Sequence, residues 1–383
     1  MFRTFLSAYP WDLLDEDLEA VLDHLHGEVG ITGMSVWVAS AAVVELRARN
    51  VQPQVFRTRG GLLFHPDENL YADTRCKPIV STWARGHKAL GRIAEACAKR
   101  GLTLRVIVSA SRTGRLAERH PEMACKNVFQ DQSQLGLCLS NPDVQTFLCA
   151  VVSDLSSNHP VAEVVLTDFV LEWPEFVAAH LCAPLSLGHG AKALLATCFC
   201  ESCRQQAGQA GVDTATAQRV AHSAVLASLE GRMTDQPLDA ILADSGPLSE
   251  YYRWRTIQLS SVWQQVAGAC RCDLLLDRRL DTSIAVEIPQ LDLSLPASVV
   301  TRLDDPDGLA SARCPVARRN ELRLPESLAS GPQAAQLVRL VSQTVELGFS
   351  GVEMDSLGLL PASALTPIKQ ALRIARRASS PPP

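Results

Sequence analysis

Short β-branched runs alternate with amphipathic helical runs along the whole 383-residue chain, and that alternation limits the fold more than any other feature. The pattern predicts strands at Arg3–Ala8, Gly33–Ala39, Leu102–Ser109, Ala162–Asp168, Cys272–Asp277, Ser283–Ile288, Glu321–Leu324 and Ser350–Asp355. Between them, Leu90, Ile93, Ala94 and Cys97 recur at helical spacing, as do Val144, Phe147, Leu148, Val151, Val152 and Leu155. Strands alternating with helices imply parallel βαβ units. Eight such strands favour a closed α/β structure, a (β/α)8 TIM-type barrel, over an open sheet. Hydrophobic residues make up 47% of the chain, enough for the core such a barrel needs. Between about Cys270 and Leu324 clean helices are few, so the strand positions there rest on β-branching alone.

The expected organisation is one barrel domain over 1–377, followed by a disordered tail over 378–383, where the sequence reads Ala-Ser-Ser-Pro-Pro-Pro. Long loop inserts are expected after strands two and four, at about 50–87 and 169–248, the second with a helix near Ala215–Glu230. In barrels of this type, loops that follow strands lie on the carboxyl face, where chemistry happens.

The net charge of −5 gives no electrostatic footprint for nucleic acid or an anionic membrane. The basic group Arg373, Arg376 and Arg377 reads as a solvated helix end. No secretory signal is visible and no stretch is apolar enough to span a bilayer, so the expected location is cytoplasmic. In that reducing setting, the twelve cysteines read as metal ligands where clustered and as small buried hydrophobes where scattered.

Cys198, Cys200 and Cys203 place three thiolates within six residues. Such spacing suits a tetrahedral zinc ion with a fourth ligand still to be found, although soft thiolate sites also take iron or copper. The segment Cys198–Arg204, CFCESCR, resembles the zinc-binding segment of the family 42 glycoside hydrolases, the bacterial β-galactosidases. Cys138-Leu139-Ser140-Asn141-Pro142-Asp143-Val144 resembles that family's upstream segment. The resemblance implies Cys138, Cys198, Cys200 and Cys203 as ligands of a structural Zn2+, with Cys182 and His189 as rivals for the fourth position. More broadly, Phe64-His65-Pro66-Asp67, Lys77-Pro78-Ile79-Val80-Ser81, Arg119-His120-Pro121-Glu122 and Asn127-Val128-Phe129 resemble a set of uncharacterised bacterial barrel proteins described as hypothetical glycosyl hydrolases.

The resemblance implies a carbohydrate substrate and a pair of carboxyl groups flanking the scissile bond, one donating a proton and one attacking carbon or activating water. In family 42 the acid/base is a Glu in an Asn-Glu pair at the end of strand four, and the nucleophile is a Glu at the end of strand seven. Here strand four ends in Asp168, with Glu172 and Trp173 shortly after, and the Asn-Glu pair is absent. Glu326 follows strand seven and Asp355 ends strand eight. Asn320-Glu321 does read Asn-Glu, but at the start of its strand, facing the wrong end of a barrel. Ser40-Ala41-Ala42 stands at the end of strand two, where the broader set is expected to carry a histidine. The candidate catalytic residues are therefore Asp168, Glu172, Glu326 and Asp355, and the candidate sugar contacts are Asp12, Trp173 and His65. Each has a plainer role open to it: Asp12 as a helix cap, His65 as a structural histidine, the carboxylates as solvated loop groups.

The expected function is that of a glycoside-hydrolase-like enzyme. The alternatives are a degenerate barrel that binds a sugar or a protein partner without turnover, and a catalytic metal site built on His189 and Asp168. Homo-oligomer formation stays open.

Overall fold

The computed structural model describes residues 2–49, 55–172, 187–232, 235–279, 298–303, 306–314, 317–329 and 333–379. Eight parallel strands form the barrel wall: β1 (Arg3–Ala8), β2 (Gly33–Ser40), β6 (Thr103–Ser109), β9 (Glu163–Thr167), β10 (Asp273–Arg279), β11 (Ser298–Arg302), β12 (Arg319–Leu324) and β13 (Gly351–Met354). β1 closes the wall by pairing with β2 on one side, Phe5 opposite Gly33, and with β13 on the other, Arg3 opposite Gly351. Five short strands lie off the wall or at its rim: β3 (Val43–Leu46), β4 (Val55–Thr58), β5 (Gly61–Leu62), β7 (Ala124–Lys126) and β8 (Gln132–Leu137).

The strands are buried on both faces, as a barrel requires. In β9, Val164 and Leu166 face outward into the large core shared with the helices, while Val165 faces the axis with Ile107, Leu275 and Val300. The helical layer includes α3 (Ala89–Lys99), α5 (Pro142–Asn158), α10 (Gly246–Ala269), α11 (Ala334–Glu346) and α12 (Leu365–Ser379). Helix α5 starts where Asn141 accepts a hydrogen bond from the Asp143 amide and Pro142 fills the first turn. Its stripe of Val144, Phe147, Leu148, Val151 and Leu155 is buried against the wall.

Two sequence expectations are corrected. The sixth strand is β11, Ser298–Arg302, whereas Ser283–Ile288 lies outside the described residues. Both segments are β-branched, and periodicity alone does not choose between them. Helix α12 runs through Ala378 and Ser379, which had been assigned to the tail, because its apolar face continues to Ala375 against the core.

The lower barrel interior is ionic. Arg105 donates to Glu163 at 2.8 Å, Glu353 at 2.8 Å and Glu321 at 2.5 Å. Arg3 reaches Glu163 at 2.6 Å and Glu321 at 2.9 Å, and Arg319 lies 2.9 Å from Glu163. Arg323 binds Glu353 at 2.6 Å and also pairs with Asp277. Four arginines therefore meet four carboxylates on the axis, and the charges cancel. Phe5 lies beneath, with the guanidinium of Arg105 3.8 Å from its ring centre. Gly33 makes room for that ring, since a Cβ there would sit 2.3 Å from Phe5 Cε1.

Burial alone would raise the Glu353 carboxyl, but Arg323, Arg105 and Ser35 hold it below the ordinary range. Glu163 is lowered in the same way, by Arg105, Arg3 and Arg319 against its burial. Their contribution to stability is thus present at neutral pH and lost as pH falls from about 4 through the lower folded-state values. Removing one partner strands buried charge, so Glu353→Gln is expected to cost about 3–5 kcal/mol in urea unfolding at pH 7. That deficit should shrink when the same comparison is made at pH 3. An unchanged midpoint at neutral pH would show that the network does not hold the barrel.

Candidate functional site

The charge network closes the barrel from below, so an accessible site has to lie above it, at the carboxyl ends of the strands. The fourth strand, β9, is followed directly by Asp168, whose φ of +54° is the left-handed region that non-glycine residues seldom adopt. The turn is held by the Ser111 hydroxyl, which donates to the Asp168 carbonyl at 2.7 Å. The side chain is fixed as well: Ser109 donates to Oδ2 at 2.8 Å and Arg112 lies 3.9 Å from Oδ1. Strain kept at a strand end is a recurring mark of functional positions. At the end of the eighth strand, β13, Asp355 accepts from the Ser7 hydroxyl at 2.5 Å and faces Arg302 at 3.3 Å.

Tyr9 stands among these carboxylates. Burial first, then the charges of Glu45, Asp355, Asp12 and Asp168, push its phenol above the ordinary range. Asp168 and Asp355, far apart in sequence, are thereby brought to one mouth.

Tyr9 also belongs to an aromatic stack. Its ring is 4.5 Å from Trp11 and 5.6 Å from Trp37, and Trp11 lies 4.3 Å from Phe56. Trp37 and Phe56 are half-buried, and Trp37 packs on the axial cluster of Ile107, Val165, Leu275 and Val300. Asp12 lies in the short helix α1 (Pro10–Leu14) and accepts from the Tyr9 amide at 2.9 Å; the helix starts earlier than expected, so Tyr9 rather than Asp12 is the N-cap and Asp12 reaches back to it from the third helical position. It is also buried against Glu45, whose carboxylate binds the Trp11 indole at 2.6 Å. Burial and the Glu45 charge push Asp12 up to about 8. The stack and the Asp12–Glu45 pair were missed in the sequence, where Tyr9-Pro10-Trp11 was the one local signal.

The other sequence candidates fall elsewhere. Glu172 forms an isolated antiparallel bridge with Thr197, four residues beyond Asp168. Glu326 is half-buried at the start of a 3-10 turn after β12. His65 is exposed, close to Asp67, whose amide binds Asp154 near the carboxyl end of α5. That end of α5 leads into the start of β9, so His65 is remote from the strand ends that form the mouth. Trp173 and Cys182 lie outside the described residues. His189 is exposed and pairs with Asp235 at 2.7 Å, away from the thiols and from Asp168.

The loop after Asp168 runs directly to the cysteine cluster. The Leu171 carbonyl accepts from the Cys198 amide at 3.3 Å and from Arg255 at 2.7 Å. Cys138, Cys198, Cys200 and Cys203 are all buried, with sulfurs within 4.8 Å of one another. The Cys138–Cys203 and Cys138–Cys198 separations are 3.4 and 3.9 Å. A tetrahedron with metal–sulfur bonds of about 2.3 Å has edges of about 3.8 Å, so the four sulfurs fit one ion. Cys200 caps helix α7 (Glu201–Gln209), which turns a positive helix end toward the thiolates. Burial opposes ionisation of Cys198, yet hydrogen bonds from Cys125, Cys138, Cys200 and Cys203 bring it well below the ordinary thiol range. Cys203 is driven the opposite way, by burial and by those same neighbouring sulfurs. Thiols packed this closely cannot all ionise without a cation. Cys125 is a fifth buried thiol beside the group, and its distance in sequence hid it.

With this geometry in hand, similarity to solved proteins can be stated. The barrel resembles those of glycoside hydrolases. An α-L-fucosidase from Paenibacillus thiaminolyticus superposes on 98% of this chain with TM-score 0.54 and 10% identity. A β-galactosidase from Marinomonas ef1 covers 97% of it with TM-score 0.53 and 11% identity. A β-galactosidase from the haloarchaeon Halorubrum lacusprofundi covers 98% with TM-score 0.54 and 10% identity. This chain spans only 49%, 59% and 58% of those three proteins respectively. No family model matches the sequence, and no curated protein does. Among the described residues no helix is long and apolar enough to cross a membrane.

Two outcomes follow from the site. Cys200→Ala should lower bound metal and melting temperature together, whereas Cys125→Ala should leave metal content unchanged; equal metal loss in both would assign the fourth ligand wrongly. Asp12 binds its proton more tightly when folded, so its contribution is present below about pH 4 and lost as pH rises toward about 8. Asp12→Asn should therefore flatten the decline in unfolding free energy between pH 5 and pH 8, measured by urea titration, and a parallel decline in both proteins would refute the assignment.

Proposed function

We propose that this chain is a glycoside hydrolase that cleaves a carbohydrate with Asp168 and Asp355 as its carboxyl pair. The observation that carries the reading is Asp168, held in a left-handed turn at the end of the fourth barrel strand with its carboxylate oriented by Ser109. Asp168 would protonate the glycosidic oxygen. Asp355, which accepts from Ser7 and faces Arg302, would attack the anomeric carbon or activate water from the opposite face. The half-buried rings of Tyr9 and Trp37 offer a platform for a sugar ring, and Trp173 is proposed to add a second. Glu172 and Glu326 would take over a role only if one of the pair proves dispensable.

Zinc is the proposed metal, held by Cys138, Cys198, Cys200 and Cys203. Four thiolates leave no open position for water, so it would be structural, pinning the Asp168–Glu172 loop through the Leu171–Cys198 hydrogen bond. The strand-four end lacks an Asn-Glu pair, and this favours one second reading: a barrel that binds sugar without turnover.

A panel of nitrophenyl α- and β-glycosides tests both. The expected result is release of nitrophenol from at least one substrate, with Asp168→Asn and Asp355→Asn each lowering kcat by about 10²–10⁴-fold at unchanged melting temperature and zinc content. Full activity in Asp168→Asn would overturn its role. Saturable sugar binding with no hydrolysis would install the second reading.

A further inference from the structure

Cys270, Arg271 and Cys272 join the end of α10 to the start of β10. They stand at the amino-terminal rim of the barrel, where Asp273 of β10 lies opposite Glu163 at the start of β9, and so at the other end of the wall from Asp168. The sulfurs of Cys270 and Cys272 are 3.8 Å apart. Both residues are half-buried, so solution reagents can reach them, whereas Cys76, Cys97, Cys125 and Cys314 are buried.

The approach of the two sulfurs is built into the backbone. The Cys270 amide donates to the Val266 carbonyl at 3.1 Å, the Arg271 amide to Ser156 Oγ of α5 at 3.0 Å, and the Asp273 amide to the Ala162 carbonyl at 3.3 Å. The segment is thus tied to α10, to α5 and to the entry of β9, and the two thiols are held side by side between those ties.

The pair fits neither role expected of cysteines here, ligand or buried hydrophobe. Among the described residues, no third histidine, cysteine or carboxylate joins it to form a ligand group with atoms within 4.8 Å of one another. Two thiolates alone leave half of a tetrahedral zinc site unfilled. The two thiols are also unlike each other. The Cys272 thiol, followed by its amide and the Ser156 hydroxyl, brings the Cys270 thiol down to about 7, although burial and Asp273 oppose it. That same contact, and then burial, drives Cys272 above the ordinary thiol range. A thiol that ionises readily beside one that keeps its proton suits thiol–disulfide exchange, in which one sulfur attacks and the other resolves.

We propose that Cys270 and Cys272 form a reversible disulfide by exchange with a small disulfide of the oxidised glutathione class. The Cys270 thiolate attacks one sulfur of the small disulfide, whose S–S bond breaks, and the first small thiol leaves. Cys272 then gives up its proton and attacks Cys270 Sγ, breaking the mixed disulfide and releasing the second small thiol. The two protein thiols lose two electrons to the small disulfide, and their two protons end on the two thiols released. A ring closed over one intervening residue is strained, and strained, exposed disulfides are readily reduced, so the same step runs backwards in excess thiol. The reading does not depend on the chemistry assigned to the barrel mouth.

Incubation of the full-length protein with millimolar oxidised glutathione, followed by alkylation of the remaining thiols, proteolysis and mass spectrometry, tests it. The expected result is loss of alkylation at Cys270 and Cys272 together, as one bond between them, and its return in excess reduced glutathione. Cys272→Ser should instead accumulate a mixed disulfide with glutathione on Cys270. Cys270→Ser should slow the modification of Cys272 by about tenfold or more at pH 7, at unchanged melting temperature. If a variant fails to fold, the result for the natural chain decides alone. Free thiols at both positions after equilibration, a mixed disulfide that persists in the natural chain, or undiminished modification of Cys270→Ser would each overturn the proposal.

Discussion

Arg105 is the group on which the rest of the barrel depends. Its three donors satisfy carboxylates from three other strands, Glu163 on β9, Glu321 on β12 and Glu353 on β13. A guanidinium at the centre of a barrel is tolerable only if every partner arrives in register, because unpaired buried charge costs several kcal/mol. The same condition applies to Arg3, Arg319 and Arg323, which share those carboxylates. Closure of the wall and completion of the network are therefore one event. An apolar interior would tolerate a register slip more easily than this one.

Filling the lower axis with ions has a consequence for chemistry. The interior offers no passage from below, and an apolar layer of Ile107, Val165, Leu275 and Val300 lies inside the wall as well. Groups placed where a substrate could reach them are those at the strand ends, and Asp168 and Asp355 are there. Arg323 links the two levels, because it pairs with Glu353 and also acts electrostatically on Asp355. Orientation at the mouth is thus inherited from the network rather than set by the loops alone.

How much of this the sequence could reveal depended on the range of each signal. Strands such as Val164-Val165-Leu166-Thr167 carry their own pattern, and seven of the eight expected strands coincide with observed ones to within a residue or two. The sixth failed because two β-branched segments compete in one interval without helices to fix the spacing. The cysteine group was legible because three of its members sit within six residues and the fourth lies in a segment of recognisable form. Cys125, Glu45 and Arg112 were not legible. Each acquires its meaning from a partner far away in sequence: Cys198 for Cys125, Trp11 for Glu45, Asp168 for Arg112. The charges of the interior were equally hidden, since Arg105 and Glu163 read locally as polar interruptions of buried strands.

The strained turn at Asp168 joins these levels. A left-handed aspartate at a strand end costs of order 1–3 kcal/mol and persists only where its surroundings over-determine it. Here they do so from three sides. Ser109 and Ser111, on and just beyond the neighbouring strand, grip the carboxylate and the carbonyl. Phe169 packs edge-on against Trp263 of α10, its ring centre 5.6 Å away. Beyond it, Leu171 is tied to Cys198, so the thiol cluster anchors the far end of the turn. Loss of a cation from the cysteines would loosen that anchor first and the barrel wall hardly at all, because no cysteine of the group belongs to a barrel strand. A metal held there would have no catalytic position of its own and would still act on the geometry of Asp168, through a chain of contacts only a few residues long.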